Sequence, residues 1–224
     1  MYKYIIDNDV VQCVEERVVK TIKTVDFIEA IQNAGAVFSD FLPKNCVLFN
    51  KNGDKGYYCV ELPASIVPLK YKNRNESKET IYNIGIPFTQ FWFVFSSLSN
   101  KLIKEIYATA TKSPFTSWGV PLYISPLLNI YSDGSVCTGD ITMDMSSGVN
   151  NAINSFSSLF FEAVSNNDLT PKCPNVLAGG YSANRFNEYL ALWQEKTKSN
   201  RFFLLEDSVK MFEFNINLIK EAVR

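Results

Sequence analysis

The sequence predicts an α+β fold, an antiparallel sheet followed by helices, and three observations predict it. Strand-like alternation and hairpin signals dominate the chain before Cys137, a helical period takes over after it, and 46% of the 224 residues are hydrophobic. That fraction buries a substantial core in a chain of this length. Strands first and helices afterwards is the order of an α+β domain rather than of alternating βαβ units. No internal repeat or low-complexity segment breaks the pattern.

The opening segment reads as a strand region over Tyr4 to Val19. A helix follows around Thr24 to Asn33, with Phe27, Ile28 and Ile31 on one face and Gly35 ending it. From Val47 the chain reads as a hairpin, with Val47-Leu48-Phe49, a polar turn over Asn50 to Gly56, and then Tyr57 to Leu62. The stretch Lys70 to Lys78 interleaves Glu76 with Lys70, Lys72, Arg74 and Lys78 and has no regular apolar spacing, so it reads as a solvated loop. Ile86 to Phe95 carries aromatics on both alternating faces, which suits a central strand covered on both sides. Leu102 to Thr109 adds a further strand. Pro114 to Pro126 has Gly and Pro at intervals that predict irregular chain with a brief extended piece at Leu122 to Ile124.

After Ser146 and Ser147, two candidate N-caps, Val149, Ala152, Ile153, Phe156, Phe160, Ala163 and Val164 follow helical spacing. A Pro- and Gly-containing connection, Thr170 to Gly180, leads to a second helix with Phe186, Tyr189, Leu190 and Trp193 on one face. A third, after Leu205, presents Val209, Phe212, Ile216, Ile219 and Val223. The expected division is an N-terminal extension over residues 1–44, packed on a core domain over 45–224.

Composition narrows the function. Lys plus Arg (22) nearly cancels Asp plus Glu (23), which leaves no net field to hold a polyanion or an acidic membrane surface, so neither nucleic acid nor membrane is expected as a partner. Acids at Asp7 and Asp9 occupy the region where a signal peptide needs an apolar run, and Phe91 to Phe95 is far too short to span a bilayer, so a cytoplasmic protein is expected. Five widely spaced cysteines (Cys13, Cys46, Cys59, Cys137, Cys173) contain no C-x-x-C pair, which predicts reduced thiols and no zinc site. The chain has no histidine at all. Ser-His-Asp hydrolysis, Cys-His proteolysis and histidine-based metal sites are closed to it, and no cofactor is expected.

Chemistry concentrates between Ser125 and Ile141. Asp133-Gly134 is a turn signal, Asn129 supplies an amide, and Cys137 follows eight positions later, flanked by Asp133-Gly134-Ser135 and Thr138-Gly139. A cysteine in turn-rich chain is accessible, whereas Cys59 lies within a strand pattern; packing is the expected role for Cys13, Cys46, Cys59 and Cys173. This segment resembles the active-site segment of ubiquitin-conjugating enzymes, which runs His-Pro-Asn-Ile, a few turn residues, Gly, one residue, an aliphatic residue and the catalytic Cys. Asn129, Ile130, Gly134, Val136 and Cys137 fall at matching positions, with the same Asn-to-Cys interval. Leu127 and Leu128 stand where the eukaryotic enzymes have His and Pro. With the aromatic strand after Pro87, the wider pattern looks like the prokaryotic branch known as the PRTRC system protein B or prokaryotic family D group.

The resemblance implies a ubiquitin-conjugating-enzyme (UBC-like) fold. It also implies a transferase that accepts a ubiquitin-like protein from an activating enzyme as a thioester on Cys137 and passes it to an amine of a target protein. Operons of such branches, some of them antiphage systems, also carry a JAB-type isopeptidase. Thiol exchange between thioesters is nearly balanced, and an ordinary cysteine supplies a few per cent thiolate at neutral pH, so this chemistry dispenses with histidine. Aminolysis is the harder step. Asn129 is the candidate to donate to the oxyanion or to brace the loop that does so, and removing one oxyanion donor costs roughly a factor of 100 to 1,000. Asp168 lies where the family has an acidic, Pro-containing loop and is the resemblance-based candidate to orient or deprotonate the amine; Asp140 is the local rival. Phe186 and Trp193 match the aromatic-Asn to Trp spacing of a family helix, with core packing as the preferred reading. The alternative function is a non-catalytic module of the same fold that binds a ubiquitin-like protein or scaffolds an operon complex. A thiol-dependent hydrolase would need an unusual base.

Overall fold

A computed structural model divides the chain into two compact units, Met1–Phe41 and Leu42–Arg224. The structure describes residues 3–7, 10–14, 18–23, 42–74, 77–98, 100, 102–139, 141, 143, 148–166, 169 and 186–222. In the first unit β1 (Lys3–Asp7), β2 (Val10–Val14) and β3 (Val18–Lys23) form an antiparallel meander in the order β1-β2-β3. Runs such as Val10-Val11 and Val18-Val19 favour this extended chain. The helix expected over Thr24 to Asn33 lies outside the described residues.

The second unit is built on a five-stranded antiparallel sheet in the order β10-β9-β8-β5-β4. Its strands are β4 (Cys46–Asn52), β5 (Lys55–Leu62), β8 (Phe88–Ser97), β9 (Leu102–Thr111) and β10 (Tyr123–Ile124). The hairpin expected at Val47 forms, with a tighter turn than the polar run suggests. Pairing continues to Asn52 and Lys55, and Gly53, at φ 60°, takes the first of two turn positions, where a glycine-first loop matches the twist of the strands. The aromatic strand is central, as its two apolar faces require. Pro87, which has no N–H to give a ladder, separates it from β7 (Thr80–Ile86), so Ile86 belongs to the preceding strand.

Each face of β8 has its own cover. Phe91 and Phe93 meet Phe156 of helix α1 (Val149–Glu162), each with ring centroids 5.2 Å apart. Burying aromatic side chains of this size contributes about 2–3 kcal/mol apiece. On the opposite face Trp92 Nε1 donates to Thr109 Oγ1 (2.8 Å), which donates to Gln90 Oε1 (3.0 Å). Gln90 Nε2 in turn reaches Thr111 Oγ1 (2.9 Å) and Glu61 Oε2 (2.7 Å). A polar chain this deep persists because its buried members are mutually hydrogen-bonded.

One hairpin is not foreshadowed in the sequence: β6 (Ser65–Tyr71) pairs with β7 as a separate two-stranded sheet, so Lys70 belongs to β6 and the rest of the basic run lies in its connection. Pro68 in mid-strand argues against a ladder, but β6 is an edge strand, where proline is tolerated. Helix α2 (Phe186–Ser199) closes the outer side of β7. Gln194 Oε1 accepts the Asn83 N–H (2.8 Å), Thr197 Oγ1 accepts the Gly85 N–H (2.8 Å) and Trp193 Nε1 donates to the Gly85 carbonyl (3.0 Å). Gly85 is required there, because a Cβ would sit 2.5 Å from the Arg201 carbonyl oxygen. Phe186, Tyr189, Leu190 and Trp193 are all buried, so the preferred packing reading of Phe186 and Trp193 agrees with the structure.

Two helix expectations are corrected. Helix α1 ends at Glu162, leaving Val164 exposed, and begins behind Gly148, whose φ of 102° and lack of a side chain provide no capping bond; Ser146 and Ser147 lie outside the described residues. The third helix is only Asn217–Ala222 (α3). Phe212 to Phe214 instead run as an edge beside β10, with Ile124 N–H bonded to Phe212 (2.8 Å) and Phe214 N–H to Leu122 (2.9 Å). Strand pairing overrides the helical spacing there, and Asn215 Oδ1 accepts the Asn217 N–H (3.1 Å) where the short helix starts. Among the described residues no helix is long and apolar enough to cross a membrane.

Candidate functional site

The chain leaves the sheet after β10 and comes back to the same β9 edge a few residues later. Ser125 N–H donates to the Ala108 carbonyl (3.1 Å), Ala108 N–H to Gly134 (2.8 Å) and Val136 N–H to Ile106 (2.8 Å). Between these anchors the excursion folds into a small antiparallel ladder. Cys137 N–H donates to the Asn129 carbonyl (2.8 Å), Ile130 bridges Val136, and Tyr131 N–H donates to Ser135 (2.8 Å).

The ladder closes through a turn in which Gly134 N–H donates to the Tyr131 carbonyl (3.0 Å). Gly134, at φ 89°, has no room for a side chain, since a Cβ would lie 2.7 Å from the Phe214 ring. Asp133 Oδ1 accepts both the Ser135 N–H (2.9 Å) and the Ser135 hydroxyl (2.7 Å). Partial burial works to raise the Asp133 carboxyl, but these hydrogen bonds outweigh it and hold the group below the usual carboxylate range.

The pleat of this ladder decides which side chains turn into the core and which face out. Successive residues point to opposite faces, so Ile130 (2% exposed) and Val136 (9%) turn into the core while Asn129, Tyr131 and Cys137 share the other face. Leu127 and Leu128 are buried as well, so apolar anchoring holds the loop where the eukaryotic pattern has His-Pro. The polar face opens on a cleft of about 700 Å³, whose lining includes Asn129, Tyr131, Cys137, Leu159, Glu162 and Asn166. Cys137 is half-buried at its wall.

Asn129 serves the loop twice. Its backbone is left-handed (φ 60°), a conformation that asparagine tolerates better than most residues, and its side-chain amide donates to Ser165 Oγ (3.2 Å). Ser165 is itself strapped to β6: Lys72 N–H donates to its carbonyl and its N–H to Lys70, both at 2.9 Å. The loop is thereby tied to the end of α1 and to the β6–β7 hairpin. Tyr131, 44% exposed, lines the same cleft as Cys137. The Cys137 side chain beside it first, and then slight desolvation and Asp133, raise the phenol above its ordinary titration range.

The other described thiols are unlike Cys137 in surroundings. Cys59 is fully buried and desolvation pushes its thiol well up; Cys46, bonded to the Leu48 carbonyl (3.4 Å), is also pushed up, by burial first. Among the described residues no group of Cys, Asp and Glu is arranged to hold a metal. Of the residues singled out in the sequence, Cys137 and Asn129 come together on one face, while Asp168, Asp140, Cys13 and Cys173 lie outside the residues whose side chains are described. Tyr131, Ser165 and Glu162 were not singled out. The period-two relation of Asn129 to Tyr131 could have found the tyrosine; Ser165 and Glu162 reach the site only through the tertiary fold.

The architecture of a meander, a looped-out thiol and trailing helices agrees with a family match. The model of prokaryotic E2 family D covers residues 33–201. The chain belongs to prokaryotic E2 family D. Comparison with curated proteins and with solved structures returned no match. Membership confirms the expected α+β, UBC-like class and ties the chain to E2-like, ubiquitin-conjugation-related function. The family implies interaction with ubiquitin-like proteins and activating enzymes in general.

Proposed function

We propose that Cys137 accepts the C-terminus of a ubiquitin-like protein from an activating enzyme as a thioester and transfers it to an amine of a target protein. The observation that carries this reading is the shared cleft face of Asn129, Tyr131 and Cys137, opposite the buried Ile130 and Val136. In the first step the Cys137 thiolate attacks the carbonyl carbon of the incoming thioester. A new C–S bond forms, the old one breaks, and the activating enzyme's sulfur leaves as a thiolate. In the second step a neutral amine attacks the same carbon, the nitrogen gives up a proton, and the Cys137 sulfur departs.

Asn129 acts in this scheme chiefly as a brace, because its amide is engaged by Ser165. Asp168, with Asp140 as its rival, is proposed to orient or deprotonate the amine; Glu162 supplies a further carboxylate on the cleft lining. Residues 45–224 are proposed as the catalytic domain and 1–44 as its extension. A JAB-type isopeptidase is the proposed opposing activity. The free thiols of Cys46, Cys59 and Cys137 fit the reducing cytoplasm proposed as the setting.

The test mixes the protein with ATP, its cognate activating enzyme and the ubiquitin-like protein. The expected product is a covalent adduct that reductant removes and Cys137→Ala abolishes. A Cys137→Lys variant is expected to give an adduct that survives reductant. Binding without any adduct, or an adduct unchanged in Cys137→Ala, overturns the transferase reading in favour of a module that only holds the modifier.

A further inference from the structure

In a chain without histidine, any group that stabilises the charged sulfur of the nucleophile has to be something other than an imidazole. The small ladder identifies one. Asn129 and Cys137 are the pair next to the Ile130–Val136 bridge, and Tyr131 and Ser135 are the pair on its other side. Tyr131 is therefore the diagonal neighbour of Cys137 on one face, within reach of a long aromatic side chain. Three backbone facts keep it there: its N–H is bonded to Ser135, its carbonyl accepts from Gly134, and the residue before it is anchored in the core. Its side chain is 44% exposed on the lining of the cleft that Cys137 also lines.

We propose that Tyr131 is a catalytic residue that hydrogen-bonds the Cys137 sulfur whenever that sulfur is anionic, as the attacking thiolate and again as the departing one. The proposal rests on Cys137 being the nucleophile. The phenol keeps its proton throughout. In the first step its O–H stabilises the thiolate before the C–S bond forms, and the bond is released as the sulfur becomes a neutral thioester. In aminolysis the electron pair of the breaking C–S bond returns to sulfur, and the same O–H meets the negative charge. The amine proton leaves separately, to solvent or to a carboxylate. A phenol suits the task because it remains protonated over the range in which a thiol ionises.

Tyr131 differs from the oxyanion donor sought in Asn129. It acts on the sulfur rather than on the carbonyl oxygen, so it should affect every reaction of the thiol, including reactions with small electrophiles. The ionisable groups that face it among the described residues are Cys137, Asp133 and, on the cleft lining, Glu162. Asp133 is shared with the turn and is present in every variant tested.

The experiment measures alkylation of the full-length protein by iodoacetamide, read at the Cys137 peptide by mass spectrometry, for wild type, Tyr131→Phe and Tyr131→Leu. Near neutral pH, Tyr131→Phe is expected to react roughly three- to tenfold more slowly, the size of one hydrogen bond to a solvent-accessible anion. At about pH 10, where ordinary thiols are ionised, the gap should close or reverse, because a hydrogen-bonded thiolate is a weaker nucleophile. A purely structural role would slow the reaction equally at both pH values, and Tyr131→Leu would then be much slower than Tyr131→Phe. Equal rates in wild type and Tyr131→Phe near neutral pH, or a deficit that persists at alkaline pH, overturn the proposal. Failure of the transferase reading appears separately, as an absent adduct with the modifier while the alkylation difference stands.

Discussion

Replacing Asn129 by Gly, Ala and Asp, alongside Ser165→Ala, separates two services that one residue performs. Asn129→Ala loses the amide bond to Ser165 and forces a Cβ-bearing residue without a polar side chain into φ 60°. The lost hydrogen bond costs about 1 kcal/mol and the left-handed backbone roughly 1–2 kcal/mol, for a total of about 2–3 kcal/mol. Asn129→Gly loses the same bond without the backbone strain, against a larger unfolded-state entropy of about 0.5–1 kcal/mol. The glycine variant should therefore be more stable than the alanine variant by about 1 kcal/mol. Asn129→Asp tolerates the backbone but removes the amide donor. In urea unfolding, with a slope near 2 kcal/mol per molar, a 1 kcal/mol difference is a midpoint shift of about 0.5 M at unchanged slope. Equal midpoints for the glycine and alanine variants would refute the backbone argument.

The same variants decide how Asn129 contributes to the proposed transfer. Ser165→Ala leaves the amide in place but unties it from β6. If Asn129 is a brace, Ser165→Ala and Asn129→Gly slow aminolysis by similar factors. If the amide serves the oxyanion directly, Asn129→Gly alone loses on the order of 100-fold or more and Ser165→Ala keeps most of the rate. The structure favours the first outcome, because the amide is already engaged at 3.2 Å.

Thr109→Val, which keeps shape but removes the hydroxyl, strands the Trp92 N–H and the Gln90 carbonyl oxygen in the buried sheet face, at an expected cost of about 2–4 kcal/mol. Thr109→Ser should cost about 1 kcal/mol, for the lost methyl alone, and equal urea midpoints for the two would contradict the network. Asp133 has a folded-state value below its unfolded one, so its contribution is present above the ordinary carboxylate value near pH 4 and disappears as the pH falls through the depressed value. Asp133→Asn should accordingly lower the unfolding temperature at neutral pH and match wild type in strong acid; a difference that grows on acidification would reverse the sign and reject the account.

Much of this architecture is legible in the residues. Phe91 to Phe95 alternate between two covered faces, so the central strand could be read directly, and Phe186, Tyr189, Leu190 and Trp193 mark a helix whose apolar stripe is buried as expected. Regions where one local signal hides another were harder. Val67, Leu69 and Tyr71 alternate as a strand, but Pro68 between them masks it, and Val209 to Ile219 match a helical period while part of that run pairs as an edge. At the site, Cys137 and Asn129 were visible through their fixed interval. Tyr131 was hidden because an aromatic residue after an isoleucine resembles core, and only the pleat shows that it faces outward. Ser165 carries no signal of its own, since its role comes from lying 36 positions away in sequence and hydrogen-bond distance away in space.

The closed flank of the β6–β7 hairpin has a consequence for synthesis. The acceptors that cover β7 arrive late: the Asn83 N–H waits for Gln194, 111 positions further along, and the Gly85 N–H for Thr197, 112 positions along. A nascent chain emerging at ordinary translation rates therefore exposes bare main-chain groups of a finished hairpin for several seconds. Such a row is a template for pairing with a neighbouring polypeptide on the same messenger. Truncation before Phe186 would make that interval permanent, so a shortened product should precipitate even with the loop from Asn129 to Cys137 intact.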